Sequence, residues 1–308
     1  MSDRMRVDEF LSSLIAICRP LDAFEMPLLD AHGATLSEDI YAGERLVLKS
    51  GSRIRSTQIG LAASIGRDHL PTRPHPRVVV LSAGPDLVEP GKELKDGEEY
   101  ETNSWLLTTA VREVGAVAYR VHTIPDDEAQ LQAVIGDQLV RADLIIISGE
   151  RKDDSFDLIT RTLSAMGEIT TVDIAIESSG RHNFGVIGPD KTPVVTLPGD
   201  PVAAYISFEL FIRPMIRTML GAATIHRPSI KAKLEKAITS TSDNRSYIRA
   251  VLSEDGKSVM PLLSEGSSTQ DEQTTLSDAN ALIAMPEGEV KITAGSDVTV
   301  VVLERRYI

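Results

Sequence analysis

Between Arg77 and Gly221 the chain alternates apolar segments of strand length with amphipathic segments of helix length. Strands that are apolar throughout and are separated by helices form a parallel sheet that is covered on both faces. We therefore predict a central α/β/α domain with a parallel sheet over residues 77–222. The predicted strands are RVVVLS, AVAYRVHT, DLIIIS, TTVDIAI and TPVVTL, and the predicted helices are NSWLLTTAVREVG, DDEAQLQAVIGDQLV, SFDLITRTLSAMG and PVAAYISFELFIRPMIRTMLG.

The segments on either side of this domain have a different pattern. Residues 5–18 are amphipathic and predict a helix, followed by irregular chain to about Ala42. The stretch PTRPHPR carries three prolines in seven residues, which excludes a helix or a central strand, so we expect residues 1–76 to be a separate N-terminal segment. Residues 223–308 contain short β-type segments divided by Gly, Ser and Asp, which predicts a small all-β domain.

Composition excludes several classes of function. A formal net charge of -13 argues against nucleic-acid binding, because that binding depends on clustered Lys and Arg. Cys18 is the one cysteine, so a disulfide within the chain and a multi-cysteine metal site are excluded, and a reducing cytoplasm is the expected compartment. No run of 18 apolar residues occurs, so we expect no membrane insertion.

Candidate binding residues follow the strands at the edge where ligands of parallel sheets bind. Glycine loops let backbone N–H groups approach a ligand, and helix N-termini favour an anion, so these loops predict a pocket of pterin or nucleotide size. The candidate residues are Ser82, Gly84, Asp86, Asn103, Ser104, Asp126, Ser148, Gly149, Pro198, Gly199, Asp200 and Pro201.

Each of these motifs also has a structural explanation. Asp200 before Pro201, the Asp126-Asp127 pair and the stretch 102–104 are all common ways to begin a helix. Asp86 fits a residue that orders a turn. Both explanations stay open for each motif, and the order of the motifs is more informative than any one of them.

That order resembles the molybdopterin molybdenumtransferase family, which comprises the bacterial MoeA proteins and the E domain of gephyrin. The resemblance extends over nearly the whole chain. It is carried by VDEFLSSLIAICRPL, SGSRIRSTQIGLAASIG, RVVVLSAGPDLVEPGKEL, YETNSWLL, TLPGDPVAAYISFELFIRPMI, YIRAVL, LSDANALIAMPEG and GSDVTVVVL.

The resemblance implies a C-terminal β-barrel, a homodimer, and insertion of molybdate into adenylylated molybdopterin (molybdopterin-AMP) with the help of Mg²⁺. In that case Asp86, Asp126 and Asp157 are the expected catalytic carboxylates, and Asp86 and Asp157 are the expected Mg²⁺ ligands.

The sequence departs from the family pattern at several places, and three of these departures are large. An inserted subdomain that closes the site in the family is missing between Ala42 and Gly43. The anion loop Ser-Gly-Gly-Val-Ser-Val-Gly is replaced by residues 148–154, in which Glu150, Arg151 and Lys152 introduce long charged side chains. The family motif Lys-Pro-Gly-Lys-Pro aligns with residues 177–181, which contain neither lysine. Glu177 puts a negative charge in place of one lysine, and Arg181 is the last residue of the aligned segment.

Three functions are compatible with this pattern. The first is a working transferase of molybdenum cofactor biosynthesis. The second is a catalytically silent scaffold that binds a protein partner, as gephyrin does. The third is residual binding of a pterin or nucleotide without turnover, with no obligatory cofactor. The missing subdomain and lysines favour weak or lost catalysis within the family.

Overall fold

The computed structural model describes residues 4–84, 86–123, 127–149, 153–177, 180–241, 243–263 and 269–304. Its N-terminal part contains a three-stranded sheet in the order β1-β5-β2 and a separate β3–β4 hairpin. The elements, in chain order, are α1 (Val7–Ala16), β1 (Phe24–Pro27), β2 (Thr35–Leu36), β3 (Ile40–Ala42), β4 (Arg45–Leu48), α2 (Ser56–Ser64) and β5 (His69–Arg73). The expectation of irregular chain to Ala42 was wrong, since short strands begin at Phe24.

Pro71 corrects a second expectation, because it lies in β5, the middle strand of the three. A proline has no N–H to donate to a neighbouring strand. Strand β2 pairs only with Thr72 and Arg73, so it requires no N–H from Pro71. The carbonyl of Pro71 is still used, since it accepts a hydrogen bond from the backbone N–H of Ser37 at 2.9 Å.

The β3–β4 hairpin lies at the position where the resemblance predicts a missing subdomain, between Ala42 and Gly43. Ala42 pairs with Arg45, so the turn consists of Gly43 and Glu44. Gly43 has φ +61°, a conformation that suits glycine in a tight hairpin turn. The chain therefore crosses this point by a two-residue connection.

The central domain is built on a six-stranded sheet in the order β11-β12-β13-β10-β6-β9. Its elements, with the two short strands β7 and β8 outside the sheet, are β6 (Arg77–Ala83), β7 (Leu87–Val88), β8 (Glu99–Tyr100), α3 (Asn103–Val114), β9 (Val117–Thr123), α4 (Glu128–Leu139), β10 (Leu144–Gly149), α5 (Asp153–Met166), β11 (Gly167–Asp173), β12 (Arg181–Ile187), β13 (Thr192–Leu197), α6 (Pro201–Ser207), a π-helical turn (Phe208–Ile212) and α7 (Arg213–Met219). The α/β class predicted from the sequence is confirmed.

The sheet is parallel over only four strands. Strands β13, β10, β6 and β9 are parallel neighbours, whereas β12 is antiparallel to β13 and β11 is antiparallel to β12. The prediction of a parallel sheet is corrected at this edge, because β12 was not predicted and β11 begins three residues before the predicted segment TTVDIAI.

Both faces of the sheet are covered, as predicted. One core places α1, α3 and α7 against the sheet, with Phe10, Leu107 and Ile216 fully buried against Val78 and Val80. The other core places α4 and α5 against the opposite face. Helix α1 therefore packs on the central domain.

The C-terminal part is a closed barrel in the strand order β14-β17-β16-β18-β20. Its elements are β14 (Ser229–Leu234), β15 (Ile238–Thr239), β16 (Ser246–Leu252), β17 (Ser258–Pro261), α8 (Thr269–Asp278), β18 (Ala281–Met285), β19 (Lys291–Ile292) and β20 (Asp297–Val302). The predicted barrel is confirmed, but α8 was missed because its sequence carries few apolar residues. Among the described residues, no helix has the length and apolar character that a bilayer crossing requires.

Candidate functional site

A cleft of about 500 Å³ lies at the carboxyl edge of the parallel strands. This is the edge at which ligands of open α/β sheets bind. Its walls come from the strand-end loops and from α8, and they include Asp86, Leu94, Glu98, Glu99, Tyr100, Glu101, Asn103, Gly149, Gly199, Pro201, Gln270 and Gln273.

Asn103 joins three of the predicted loops. Its Nδ2 donates to Ser148 Oγ and to the carbonyl oxygen of Gly199, both at 2.8 Å. Ser148 Oγ in turn donates to the carbonyl oxygen of Pro198 at 3.2 Å. Asn103 Oδ1 is buried and has no hydrogen-bond partner in the described chain. These hydrogen bonds hold the loops of the site together, and Asn103 Oδ1 remains as an acceptor that the described chain does not use.

Ser82 and Gly84 lie beside this frame. Ser82 pairs with Ser148 across the parallel strands β6 and β10, and both residues are buried. Ser82 Oγ makes no hydrogen bond with the part of the chain that the structure describes. Gly84 follows β6 and is buried, while Gly149 lines the cleft.

Ser104 belongs to an internal network. Its backbone N–H donates to Glu101 Oε1 at 2.7 Å and its hydroxyl donates to Glu101 Oε2. Arg120 donates from Nε to Ser104 Oγ at 2.6 Å, forms ion pairs with Glu89 and Glu101, and lies 4.1 Å from the ring centre of Trp105. Glu101 is only 1% exposed, so its carboxylate occupies the N-terminus of α3 as an internal anion.

The N-terminus of α6 is occupied in the same way. Asp200 is the N-cap, and its carboxylate accepts a hydrogen bond from the backbone N–H of Ala203 at 2.9 Å, with Pro201 in the first turn. Both helix starts at the cleft therefore carry a carboxylate of the chain itself. A ligand anion at the start of α6 would meet the negative charge of Asp200, and the start of α3 is already filled by Glu101, whose charge Arg120 offsets.

The three predicted catalytic carboxylates have different positions. Asp86 lines the cleft. Asp157 lies on α5, is 53% exposed, and pairs with Arg181 at 3.5 Å, away from the cleft lining. Asp126 lies outside the described residues, as do Glu150, Arg151 and Lys152. No group of three or more metal-ligating side chains occurs among the residues that the structure describes.

The charge of the cleft is negative. Asp86, Glu98, Glu99 and Glu101 line it, and no lysine or arginine of the described ranges does. Glu177, which the resemblance aligns with a lysine, lies outside the cleft lining, and its Oε2 accepts hydrogen bonds from Ser240 at 3.1 Å and from Ser246.

Sequence reasoning missed Glu101 and Arg120. The spacing of Glu101 three residues before Ser104 is typical of a side chain that caps a helix start. Arg120 interrupts the apolar strand segment AVAYRVHT, and a charge at such a position requires a buried partner.

Two family models match the chain. Residues 81–218 match the family described as a probable molybdopterin binding domain, and residues 231–303 match the MoeA C-terminal region, domain IV. The fold and the strand-end cleft thus define the class of protein. Proteins of this class combine a domain of the molybdopterin-binding type with a MoeA-type barrel. The chain belongs to the MoeA family, which confirms the resemblance.

Two molybdenumtransferases with related sequences support the same family. Molybdopterin molybdenumtransferase 2 of Mycobacterium tuberculosis is 35% identical over 269 residues, which is 85% of this chain and 65% of that protein. Molybdopterin molybdenumtransferase 1 of the same organism is 31% identical over 86% of this chain and 63% of its own length. The chain thus spans slightly less than two thirds of these relatives.

Solved structures share the fold. Two crystal structures of molybdopterin biosynthesis MoeA proteins from Pyrococcus horikoshii align with TM-scores of 0.83 and 0.79 at 21% and 17% identity. The alignments cover 98% and 97% of this chain and 100% of each of those chains.

Proposed function

We propose that this chain is a cytoplasmic molybdenum cofactor biosynthesis protein of the molybdenumtransferase type in which the catalytic step is weak or lost. The observation that carries the proposal is the occupation of both helix N-termini at the cleft by the chain's own carboxylates, Glu101 and Asp200. Helix N-termini are the usual place for a phosphate or oxyanion in such a fold. Here Asp200 places a negative charge at one of them, and Glu101, paired with Arg120, fills the other.

Electrostatics supports the same conclusion. A unit charge 4 Å from a like charge is disfavoured by about 4 kcal/mol at an effective dielectric constant of 20. The cleft presents four carboxylates and no basic side chain among its described lining residues. Molybdate or a nucleotide phosphate would bind weakly there, and stabilisation of a charged transition state would be weaker still.

Mg²⁺ fits part of the donor set. It prefers oxygen ligands and is usually held by one or two carboxylates together with substrate phosphates. Asp86, which lines the cleft, would hold it there, and Asp157 lies outside the cleft lining beside Arg181. When bound, the ion would offset the charge of the ligand's phosphates, while Asn103 and Ser148 would keep the loops in place.

A second candidate function is a silent scaffold that binds a protein partner, in the manner of gephyrin. Three large apolar side chains beside the cleft, Leu94, Tyr100 and Trp105, are between 42% and 50% exposed. Exposed aromatic side chains are common at protein interfaces. The homodimer expected from the family is compatible with either function.

The test combines genetic rescue with titration calorimetry. We expect the gene not to restore cofactor synthesis in a strain that lacks the transferase, and we expect AMP or molybdopterin-AMP to bind weakly and only with Mg²⁺. Full rescue would show that the catalytic step is intact, and tight binding of AMP without Mg²⁺ would contradict the electrostatic explanation.

A variant tests the physical cause. Asp200→Asn keeps a capping side chain and removes one negative charge, so the affinity for AMP should rise by about 3-fold to 10-fold. Asp255→Asn, in the distant β16–β17 turn of the barrel, removes the same charge and should leave the affinity unchanged. Equal affinities of Asp200→Asn and the unmodified chain would contradict the electrostatic explanation.

A further inference from the structure

A second cavity, of about 590 Å³, lies between the central domain and the C-terminal part of the chain. Leu106, Tyr205 and Arg213 line it from the central domain, and Leu276 and Leu303 line it from the C-terminal part. Helix α8 separates it from the strand-end cleft, since Gln273 lines both spaces. Its volume is in the range of small-molecule sites.

Two arginines beside this cavity share one buried carboxylate. Glu209 accepts hydrogen bonds from Arg227 Nε at 2.6 Å and from Arg227 Nη2 at 2.8 Å. Arg227 Nη1 donates to the carbonyl oxygen of Leu303 at 2.6 Å, so each of the three nitrogens of this guanidinium makes one hydrogen bond. Arg213 Nε lies 3.9 Å from Glu209 Oε2, beyond hydrogen-bond reach.

Arg213 is therefore a cation with unused donors. Its side chain is 17% exposed, its Nε is buried without a partner, and its guanidinium makes no hydrogen bond to the described parts of the chain. Burial lowers the pKa of Arg213 below its usual value. The ion pair with Glu209 leaves donors of this guanidinium available to an anionic acceptor in the cavity, and Tyr205 lines the same cavity with a hydroxyl that can donate as well.

The π-helical turn explains why these two side chains share one face. In a continuous α-helix, Tyr205 and Arg213 are eight residues apart and would point about 80° away from each other. The turn Phe208–Ile212 takes up one extra residue, which reduces that angle to roughly 20°. Such turns are rare and often lie at functional sites.

We propose that this cavity binds a small organic acid with a single carboxylate on an apolar body. The planar guanidinium of Arg213 and the hydroxyl of Tyr205 donate to the carboxylate, and the leucines contact the body. Glu113 and Glu304 line the exposed side of the cavity, and their charges disfavour anions with more than one negative charge.

The test is calorimetric titration of the full chain with hexanoate, acetate and hexanamide. Hexanoate should bind at one saturable site. Acetate lacks most of the apolar body and hexanamide lacks the charge, so each should bind at least 10-fold more weakly. Absence of saturable hexanoate binding, or equal binding of hexanamide, would overturn the proposal.

Variants locate the site. Arg213→Gln should weaken hexanoate binding by at least 10-fold, and Tyr205→Phe, which removes one hydroxyl and preserves packing, by about 3-fold to 10-fold. Arg217→Gln removes the same charge from the same helix outside the cavity lining and should change the affinity less than 2-fold. Equal weakening by Arg213→Gln and Arg217→Gln would overturn the proposal, as would a Tyr205→Phe variant that binds like the unmodified chain.

Asn103→Ala separates this inference from the proposed function. It alters the strand-end cleft and leaves the second cavity intact, so hexanoate should bind this variant unchanged. Loss of hexanoate binding in Asn103→Ala would place the acid in the strand-end cleft and overturn the second site.

Discussion

His182 shows at the scale of one residue how the interior of the central domain limits its tolerance of acid. The imidazole is fully buried, its ring lies 5.5 Å from the ring of Phe10, and its Nδ1 donates to the carbonyl oxygen of Thr196 at 2.9 Å. Burial lowers the pKa of His182 to about 4, because the charged form loses its hydration. In the unfolded chain a histidine has a pKa of about 6.5.

The folded state therefore binds fewer protons than the unfolded state between pH 6.5 and 4. Stability is full above pH 6.5 and falls as the pH decreases through this range, by on the order of 3 kcal/mol in total. Urea unfolding of the unmodified chain and of His182→Gln at pH 7 and pH 4.5 measures this contribution. We expect the variant to lose less stability on acidification, and parallel losses in the two proteins would contradict the assignment.

The site residues differ in how far the sequence could reveal them. Asn103, Ser148 and Gly199 were predicted as one site and are joined by hydrogen bonds, because helix starts and strand ends leave local signals. Ser104 was predicted as a ligand, but its N–H and hydroxyl are used by Glu101. The contact between Ser104 and Glu101 also involves Arg120 in β9, and no local sequence pattern specifies that interaction.

At the scale of elements, the antiparallel edge of the central sheet was not predicted. Strand β12 places His182 and Asn183 in the interior, so its sequence lacks the apolar run of the other strands. Asn183 is accommodated because its Nδ2 donates to Thr160 Oγ1 at 2.8 Å. Because these buried side chains are polar, the apolar pattern of the sequence did not predict strand β12.

Gly185 allows this edge to form. A Cβ atom at Gly185 would lie 1.9 Å from the carbonyl oxygen of Glu168 in β11, a contact that the backbone must move to relieve. Gly185→Ala should lower the free energy of unfolding by about 3 kcal/mol or more, as measured by urea unfolding.

The matched control is Gly136→Ala, in α4. A Cβ atom there would have no neighbour within 4 Å, and alanine favours a helix, so we expect a gain of roughly 0.5–1 kcal/mol. Equal stabilities of Gly185→Ala and the unmodified chain would show that the β11–β12 pair is not held as closely as the structure indicates.

At the scale of the whole molecule, Arg245 of the barrel forms an ion pair with helix α1, which packs on the central domain. Its Nη1 and Nη2 donate to the two carboxylate oxygens of Asp8 in α1 at 2.8 and 3.0 Å, and Glu287 lies 3.3 Å away. The hydrogen bonds from Arg245 lower the pKa of Asp8. Glu177 joins the same boundary through Ser240 and Ser246.

Arg245→Gln should loosen this boundary and leave each domain folded. The pair with Asp8 is partly exposed, so we expect a loss of only about 1 kcal/mol in the free energy of unfolding. Hydrogen exchange should accelerate where Ile176 and Arg245 form a backbone bridge and remain unchanged inside the barrel, around Ile283. Lys233→Gln, which removes the exposed ion pair with Asp297, should accelerate neither region. Uniform acceleration in Arg245→Gln would instead mean that the barrel and the central domain unfold as one cooperative unit.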